Sequence, residues 1–391
     1  MESLLKTAIK HYQKGEMEKA LDGFLKSAKL APGDSIPHYN AAVIYYQLDA
    51  PQQAAHHYNL AHEANPKDPD ILFNLAITLK QLGRIQEALD CYYTILEIAP
   101  HDTAARYNLG ILLMESGLLE EAADFFREVL AADTAHASAC NNLAYLYHRW
   151  GMTAEALETY NQLLEIDPFH KTASHMQAAL AGKTPDQPPA EYIRDVFDHF
   201  QDYDSAMQDS LGYYTPWNLL DLLRESLPEK KWFNHILDLG CGTGLSGSAF
   251  RSMTESLTGI DLSLTMLAQA EEKQIYDELR QTEIISFLRS TERHYDLFLA
   301  ADVFVYHGDL FPVMEEISKR CRPGGLVLFS TELAEKGFLL RETGRYAHSV
   351  SYVQDTAEQC GLNLLQSRVT DIRKERGEWL KGGLYLFACQ I

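Results

Sequence analysis

The sequence predicts a two-part protein, in which an all-α superhelix of stacked helix pairs precedes an α/β domain with a mainly parallel sheet. In the first half, glycine or aspartate turn residues recur every 34 residues, a period typical of a helical solenoid. In the second half, short apolar strands alternate with helical stretches, which is typical of a parallel sheet. The recurring turn residues are Gly15, Asp49, Gly83, Gly117 and Gly151.

Two further residue types keep the same register along the first half. A small alanine lets the two helices of a pair approach closely, and an aromatic side chain one helical turn later fills the seam between them. One pair cannot bury its own apolar face, so the units must stack. The alanines are Ala20, Ala54, Ala88, Ala122 and Ala156, and the aromatics are Phe24, Tyr58, Tyr92, Phe126 and Tyr160.

This period and pattern resemble the tetratricopeptide repeat. The resemblance implies five repeats and a capping helix near 171–181, which together form a superhelical array over residues 1–182. The segment 183–190, rich in proline, then reads as a linker to a second domain over residues 191–391.

An asparagine series follows the same register in the first helix of repeats two to five. The resemblance implies that these helices line the concave face of the array, where amides can donate to and accept from the backbone of an extended peptide. We therefore expect a peptide or protein partner there. The alternative is that asparagine merely suits this position of the helix. The residues are Asn40, Asn74, Asn108 and Asn142.

Composition limits the partners. The chain has 391 residues and a formal charge of −21, which argues against nucleic acid because nucleic acid requires a basic surface. No apolar run reaches the length of a membrane span, and the first residues read as an amphipathic helix rather than a signal peptide. The six cysteines show no paired spacing, so we expect no metal site and no disulfide framework, and a cytoplasmic location.

A glycine-rich turn opens the second domain. Residues 236–239 form a short apolar strand, after which Gly240, Gly242 and Gly244 let the backbone approach a ligand closely. A dinucleotide site would need a further glycine at Leu245. The next strand, 257–260, ends at Asp261, which can accept both hydroxyls of a ribose.

The remaining strands complete a sheet of seven. We predict them at 282–286, 295–301 and 326–330, followed by an antiparallel pair near 364–372 and 384–390.

The motifs LDLGCGTG and GIDLS, with a downstream ML-x-x-A, resemble the class I S-adenosylmethionine-dependent methyltransferases, which implies a Rossmann-like sheet and that cofactor. The resemblance places Asp238 and the glycine loop at the methionine moiety, Asp261 at the ribose and Glu283 at the adenine amine. For Asp238, the alternative is a carboxylate that only caps loop amides. The implied cofactor residues are Asp238, Gly240, Cys241, Gly242, Thr243, Gly244, Asp261, Leu262, Glu283, Asp302, Val303 and Tyr203.

The segment 191–232, which precedes the first strand, carries an aromatic stripe. Phe197, Phe200 and Tyr203 are spaced by three residues on one helical face, and Tyr213 and Tyr214 follow. In similar methyltransferases this segment closes over the cofactor as a lid and excludes water. The alternative is ordinary core packing.

Residues after the fourth and fifth strands are candidates for the chemistry. Tyr306 and His307 can orient a methyl acceptor or remove its proton, although His307 also fits an ordinary loop histidine. Arg345 and His348, beside Tyr346, are candidates for the acceptor pocket, where Arg345 could pair with an acidic group.

Three functions remain open on the sequence alone. The first is a methyltransferase whose repeats recruit a peptide, protein or carrier-bound acceptor. The second is a carboxyl methyltransferase similar to the malonyl-carrier-protein enzymes, which lack the repeats. The third is a scaffold whose cofactor domain is catalytically silent.

Overall fold

The computed structural model describes residues 2–197, 204, 207, 211–375 and 377–390. Its internal contacts divide the chain into two units, Met1–Ile166 and Asp167–Ile391. No helix in these described ranges is long and apolar enough to cross a membrane.

The first unit consists of helix pairs, as the 34-residue period predicts. Each predicted turn residue lies in the left-handed region, with φ from +54° at Asp49 to +81° at Gly117, a conformation that glycine adopts without strain. The helices are α1 Glu2–Gln13, α2 Met17–Leu30, α3 Ser35–Gln47, α4 Pro51–Ala64, α5 Pro69–Gln81, α6 Ile85–Ile98, α7 Thr103–Glu115, α8 Leu119–Ala132, α9 Ala137–Arg149 and α10 Thr153–Ile166.

The seam between paired helices is close-packed. All five registered alanines are fully buried, and the five aromatics are no more than 3% exposed. In the fourth repeat a Cβ on Gly110 would lie 2.8 Å from the Phe126 ring. The tight approach therefore depends on small residues facing large ones, as predicted.

The second unit is an α/β fold in which strands and helices alternate. Its helices are α11 Lys171–Leu180, α12 Ala190–Phe197, α13 Thr215–Ser226, α14 Leu245–Phe250, α15 Leu264–Glu272, α16 Ile284–Ser290, α17 Phe311–Arg320 and α18 Val350–Gln359. Its strands are β1 Phe233–Leu239, β2 Thr254–Asp261, β3 Glu278–Gln281, β4 Tyr295–Ala300, β5 Cys321–Leu333, β6 Phe338–Leu340, β7 Tyr346–His348, β8 Leu362–Glu375 and β9 Glu378–Cys389.

The strands form one twisted sheet. Its order begins β3-β2-β1-β4-β5, and these five strands are parallel. Strand β9 runs antiparallel to both β5 and β8. The order reverses between β1 and β4, which places a topological switch point at their carboxyl ends, where ligands bind in open α/β sheets.

Two strand predictions need correction. The predicted strand 282–286 is wrong, because Glu283 accepts hydrogen bonds from the Ile285 and Ser286 amides and so caps helix α16. The third strand is the earlier segment β3. The described sheet also contains nine strands rather than seven, because the β6–β7 hairpin pairs with the far end of β5.

The segment that follows the fifth repeat belongs to the second unit and packs within it. The Thr184 hydroxyl accepts a hydrogen bond from the Leu340 amide at 3.2 Å, and His175 on α11 contacts the Gly344 carbonyl at 2.9 Å. The structural division therefore falls before α11, whereas the repeat pattern places the boundary after it.

The expectation of unpaired cysteines is wrong for one pair. Cys321, the first residue of β5, forms a disulfide with Cys389, the last residue of β9. Their separation of 68 residues gives no spacing signal, and only the pairing of β5 with β9 brings them together. With this disulfide present, the cysteines no longer indicate a reducing compartment.

Candidate active site

A cleft lies at the switch point of the sheet. About 800 Å³ of space free of protein atoms, part of it open to solvent, lies between its walls. Its walls come from the loops after β1, β2, β3 and β4, together with side chains of the segment that precedes β1. The loops that the sequence singled out are therefore brought together.

The glycine loop forms the floor of the cleft. Gly240 has φ +60°, and a Cβ there would lie 2.8 Å from Val303 Cγ2, so the loops after β1 and β4 touch at this point. Gly242 has φ +54° and lines the cleft, and a Cβ there would project into open space. Both positions require glycine for the backbone to pass this close to a ligand.

Asp261 ends β2 beside this loop and lines the cleft. Its two carboxylate oxygens accept hydrogen bonds from the Gly242 and Ser263 amides, each at 2.9 Å. A carboxylate has about four acceptor positions, so ribose hydroxyls can still donate to it. The amides thus fix the carboxylate in place for the role that the sequence predicts.

Asp238 lies behind the loop and is fully buried. Its Oδ2 accepts a hydrogen bond from the Tyr276 hydroxyl at 2.6 Å, while its Oδ1 has no partner among the described residues. Burial raises the pKa of Asp238 to about 7, against the opposing effect of the Tyr276 hydrogen bond. Asp238 is not among the residues lining the cleft, and this geometry favours the supporting role over direct contact with the cofactor.

Tyr276 was missed by sequence reasoning. It lies in the loop between α15 and β3, and its ring sits against three glycines, because a Cβ on Gly244, Gly247 or Gly259 would come within 3.0 Å of it. No periodic or motif signal marks a tyrosine in such a loop. Its contacts make it the side chain that supports the glycine loop from below.

Glu283 does not reach the cleft surface. Both of its carboxylate oxygens cap α16, whereas its neighbours Thr282 and Ile284 line the cleft. Leu262, which follows β2, also lines the cleft. The adenine-reading role of Glu283 stays a prediction, and it would require the carboxylate to bond a ligand in addition to two amides.

The predicted lid segment contributes aromatic side chains to the cleft. Phe197 and Tyr213 line it, and the Phe197 ring meets the Tyr306 ring edge-on, with centroids 5.4 Å apart. Asp204 bonds both the Thr243 hydroxyl of the glycine loop and the Lys273 ammonium group. Phe200 and Tyr203 lie outside the described residues.

Asp302, after β4, has a strained backbone. Its φ of +60° is unusual for a residue other than glycine. Its carboxylate contacts Arg345 at 3.3 Å and Arg373 at 3.3 Å. Burial raises the pKa of Asp302, and the positive charge of Arg345 opposes that shift. Strain of this kind concentrates at functional sites, and Asp302 and Val303 line the cleft. Their contact with the cofactor stays a prediction.

Asp302 belongs to a buried ionic cluster, which we define as Asp302, Glu332, Arg345 and Arg373. Glu332 is fully buried and contacts Arg373 at 2.7 Å and Arg345 at 3.7 Å. Burial raises the pKa of Glu332 to about 7, while Arg345 lowers it. Glu332 and Arg373 were missed because strand charges 30 or more residues apart give no sequence signal of their contact.

Tyr306 and His307 both line the cleft. The Arg345 guanidinium lies over the Tyr306 ring, 5.1 Å from its centroid, and burial raises the pKa of Tyr306 to about 12. His307 is 8% exposed, and its Nδ1 has no partner among the described residues. Burial lowers the pKa of His307, although the Val303 backbone and the charge of Glu283 oppose this shift. His307 is therefore neutral near pH 7.

The two predicted acceptor residues differ in their surroundings. Arg345 reaches the cleft wall through Asp302 and Tyr306. His348 is fully buried, and its Nε2 contacts the Gly308 carbonyl at 2.9 Å. Burial lowers the pKa of His348 to about 4. The structure does not bring His348 to the surface of the cleft.

The four asparagines of the registered series are half-buried and use their amide nitrogens within the first unit. Asn40, Asn74 and Asn108 each donate to the carbonyl one turn earlier in the same helix at 2.8 Å. Asn74 and Asn142 also donate to a tyrosine hydroxyl of the preceding repeat, at 3.0 and 3.4 Å. These contacts add weight to the structural alternative.

The residues of the cleft fit an adenosyl sulfonium cofactor. Gly242 leaves room where a side chain would enter the cleft, and Asp261 offers fixed acceptors for a diol. Leu262 and Ile284 offer apolar surface for a flat base.

Comparison with known proteins gives two kinds of match. Residues 237–327 match a methyltransferase-domain family, and residues 69–135 and 113–181 match tetratricopeptide-repeat families. A malonyl-(acyl-carrier protein) O-methyltransferase of Salmonella typhimurium is 30% identical over 129 residues, covering 32% of this chain and 51% of that protein. A ubiquinone biosynthesis O-methyltransferase of Actinobacillus pleuropneumoniae is 27% identical over 146 residues, covering 34% and 62%.

Among solved structures, the N-methyltransferase NodS of Bradyrhizobium japonicum in complex with S-adenosyl-L-homocysteine is 21% identical, with a TM-score of 0.37. The match covers 44% of this chain and 86% of the NodS chain. This chain spans about half the length of the Salmonella relative that it matches. Each family match falls on elements of the corresponding fold, so the chain contains tetratricopeptide repeats followed by a methyltransferase domain.

Proposed function

We propose that this protein methylates a peptide, a protein or a carrier-bound acceptor that its repeats recruit, and that the acceptor group carries a removable proton. The observation that carries the proposal is the meeting of a glycine floor, the fixed carboxylate of Asp261 and the neutral imidazole of His307 in one cleft.

When bound, the cofactor supplies an activated methyl group, so the chain has to position, shield and deprotonate rather than activate. The glycine floor and Asp261 hold the nucleoside end. The aromatic rings of Phe197, Tyr213 and Tyr306 exclude water from the reacting end, which strengthens the polar contacts inside. Alignment of the acceptor by these walls can supply about 7–11 kcal/mol of the barrier.

The proton of the acceptor is assigned to His307. A general base must be unprotonated at the working pH and within reach of the acceptor. The low pKa of His307 keeps its ring neutral, and its partnerless Nδ1 is the atom that can accept the proton. The hydroxyl of Tyr306, whose high pKa keeps it protonated, can donate a hydrogen bond to orient the acceptor.

A carboxyl acceptor of the malonyl-carrier type is the second candidate, favoured by the identity to the Salmonella relative. A carboxylate needs no base, but it needs a positive partner. Arg345 and Arg373 already pair with Asp302 and Glu332. Arg341 also contacts Glu332, and Glu375 also contacts Arg373, so the positive and negative side chains in and beside the ionic cluster are equal in number. This balance supports a neutral protic acceptor over an anionic one.

A cofactor-binding scaffold without catalysis is the third candidate. Calorimetry first tests the cofactor site that all three candidates share. The wild-type protein should bind S-adenosyl-L-homocysteine. Asp261→Asn should weaken that binding about 10- to 100-fold, the loss expected for a hydrogen bond to a charged group. The matched control is Glu271→Gln on α15, an exposed carboxylate outside the cleft lining. Equal affinity in wild type and Asp261→Asn would contradict the site assignment.

A transfer assay with tritiated S-adenosylmethionine then separates the first two candidates. The acceptors are a peptide library, unloaded carrier proteins and carrier proteins loaded with a malonyl group. Label on peptides that is lost in His307→Ala supports the proposal. Label confined to the malonyl carrier and retained in His307→Ala would contradict the proposal and support the second candidate. The absence of label with every acceptor would support the non-catalytic scaffold.

A further inference from the structure

The loop that carries His307 is held from outside the sheet by the segment that joins the repeats to the catalytic fold. We name residues 184–187 the strap. The Asp309 amide donates to the Asp186 carbonyl at 2.8 Å, and the Gln187 side-chain amide donates to the Asp309 carbonyl at 2.7 Å. Both backbone groups of Asp309, two residues beyond His307, are therefore bonded to the strap.

The strap also excludes any side chain at Gly308. A Cβ there would collide with the Asp186 carbonyl oxygen and would approach Tyr346 Cε1 to 2.7 Å. The φ of Gly308 is not in the left-handed region, so packing rather than backbone conformation requires glycine at this position. The strap is thus in van der Waals contact with the residue next to His307.

The opposite side of the same loop is fixed by β7 and α18. Neutral His348 donates from Nε2 to the Gly308 carbonyl at 2.9 Å, since a carbonyl oxygen can only accept. The Tyr352 hydroxyl donates to Asp309 Oδ1 at 2.8 Å and accepts from the Leu310 amide at 2.9 Å. The loop is therefore clamped between the strap on one side and β7 and α18 on the other.

We propose that the strap is a positioning element of the active site, in which Gln187 and the Asp186 carbonyl fix the backbone at Gly308–Asp309 and so hold the His307 ring buried at the cleft wall. The inference rests on the proposed function, which gives His307 its role. Asp186 and Gln187 act on His307 through the backbone rather than by touching a ligand, because neither residue lines the cleft. The predicted linker then has a task in the catalytic unit as well as joining it to the repeats.

The test measures the pH titration of the His307 imidazole and needs no methyl acceptor. The protein has 15 histidines, and the His307 signal in a nuclear magnetic resonance titration is assigned by its loss in His307→Ala. Gln187→Ala removes one strap bond and Gly308→Ala forces the strap away. Lys183→Ala is the matched control, because it removes an exposed side chain just before the strap. Circular dichroism checks that each variant is folded.

Burial keeps the titration midpoint of His307 low in the wild type. Water admitted by a loosened loop should raise that midpoint by about 0.5–1 pH unit in Gln187→Ala and Gly308→Ala, and leave it unchanged in Lys183→Ala. An unchanged midpoint in Gln187→Ala, which has no reason to misfold, overturns the inference. Binding of S-adenosyl-L-homocysteine by the wild type is measured in parallel, so a failure of the proposed function is recognised separately from a failure of the strap.

Discussion

Replacement of Tyr276 by phenylalanine tests how the glycine loop is supported. The substitution keeps the ring against Gly244, Gly247 and Gly259 and removes only the hydroxyl, 2.6 Å from Asp238 Oδ2. Asp238 then loses a hydrogen bond while its Oδ1 already has no partner. The free energy of unfolding should fall by about 1 kcal/mol if the Asp238 carboxyl is protonated, and by about 1.5–3 kcal/mol if it is ionised.

The loss should grow with pH, and the sign follows from linkage. Burial raises the pKa of Asp238 to about 7 in the folded state, from an ordinary value of 3.8. The folded protein therefore holds this proton more tightly, and stability declines as pH rises between those two values. Tyr276 lowers the folded pKa, so its removal extends the decline above pH 7. The difference between wild type and Tyr276→Phe should be larger near pH 8.5 than near pH 6.

Urea unfolding at both pH values measures the difference. Tyr346→Phe is the matched control, because its buried hydroxyl has no partner among the described residues and its loss should cost little at either pH. Affinity for S-adenosyl-L-homocysteine, measured in the same buffers, should fall in Tyr276→Phe and stay constant in the control. A loss of stability in Tyr276→Phe that is equal at both pH values, or larger at low pH, would refute this account of Asp238.

Two further predictions concern stability and the repeats. Cys389→Ser opens a closed loop of 68 residues, and the chain-entropy relation predicts that the free energy of unfolding falls by about 4 kcal/mol. A thiol titration that finds all six cysteines free in the wild type would contradict this prediction. Asn74→Ala should lower stability by about 1 kcal/mol because Asn74 bonds Tyr39 of the preceding repeat, whereas Asn108→Ala, which loses only a bond within its own helix, should cost less. Thermal melts check both. A peptide-binding defect in Asn108→Ala without loss of stability would instead support the asparagine series as a partner site.

The parts of the fold that local chemistry determines could be predicted from the sequence. The repeats follow from period and residue size, and the glycine loop and Asp261 follow from a turn and an acid at the ends of adjacent strands. The strand at 282–286 was wrong because an apolar run of this length fits either a strand or a helix. The N-terminal cap by Glu283 decides for the helix.

Contacts between distant segments could not be predicted. The pairing of Arg373 with Glu332 joins charges 41 residues apart, and its register depends on how β8 and β9 align with β5. The disulfide depends on the same alignment. The role of Tyr276 could not be predicted, because the glycines that its ring contacts are spread over the glycine loop, α14 and β2. Each of these three contacts depends on tertiary packing, which cannot be predicted from the local sequence pattern.

The docking of the strap changes how the two halves can be separated. A catalytic fragment cut at the apparent domain border, after residue 190, would lose Asp186 and Gln187 and free the backbone beside His307. Exchange of the repeats with those of another protein would meet the same obstacle unless the join lay before the strap. The part of the chain that can be exchanged as a repeat module therefore ends before the segment 183–190, which the sequence alone reads as a linker.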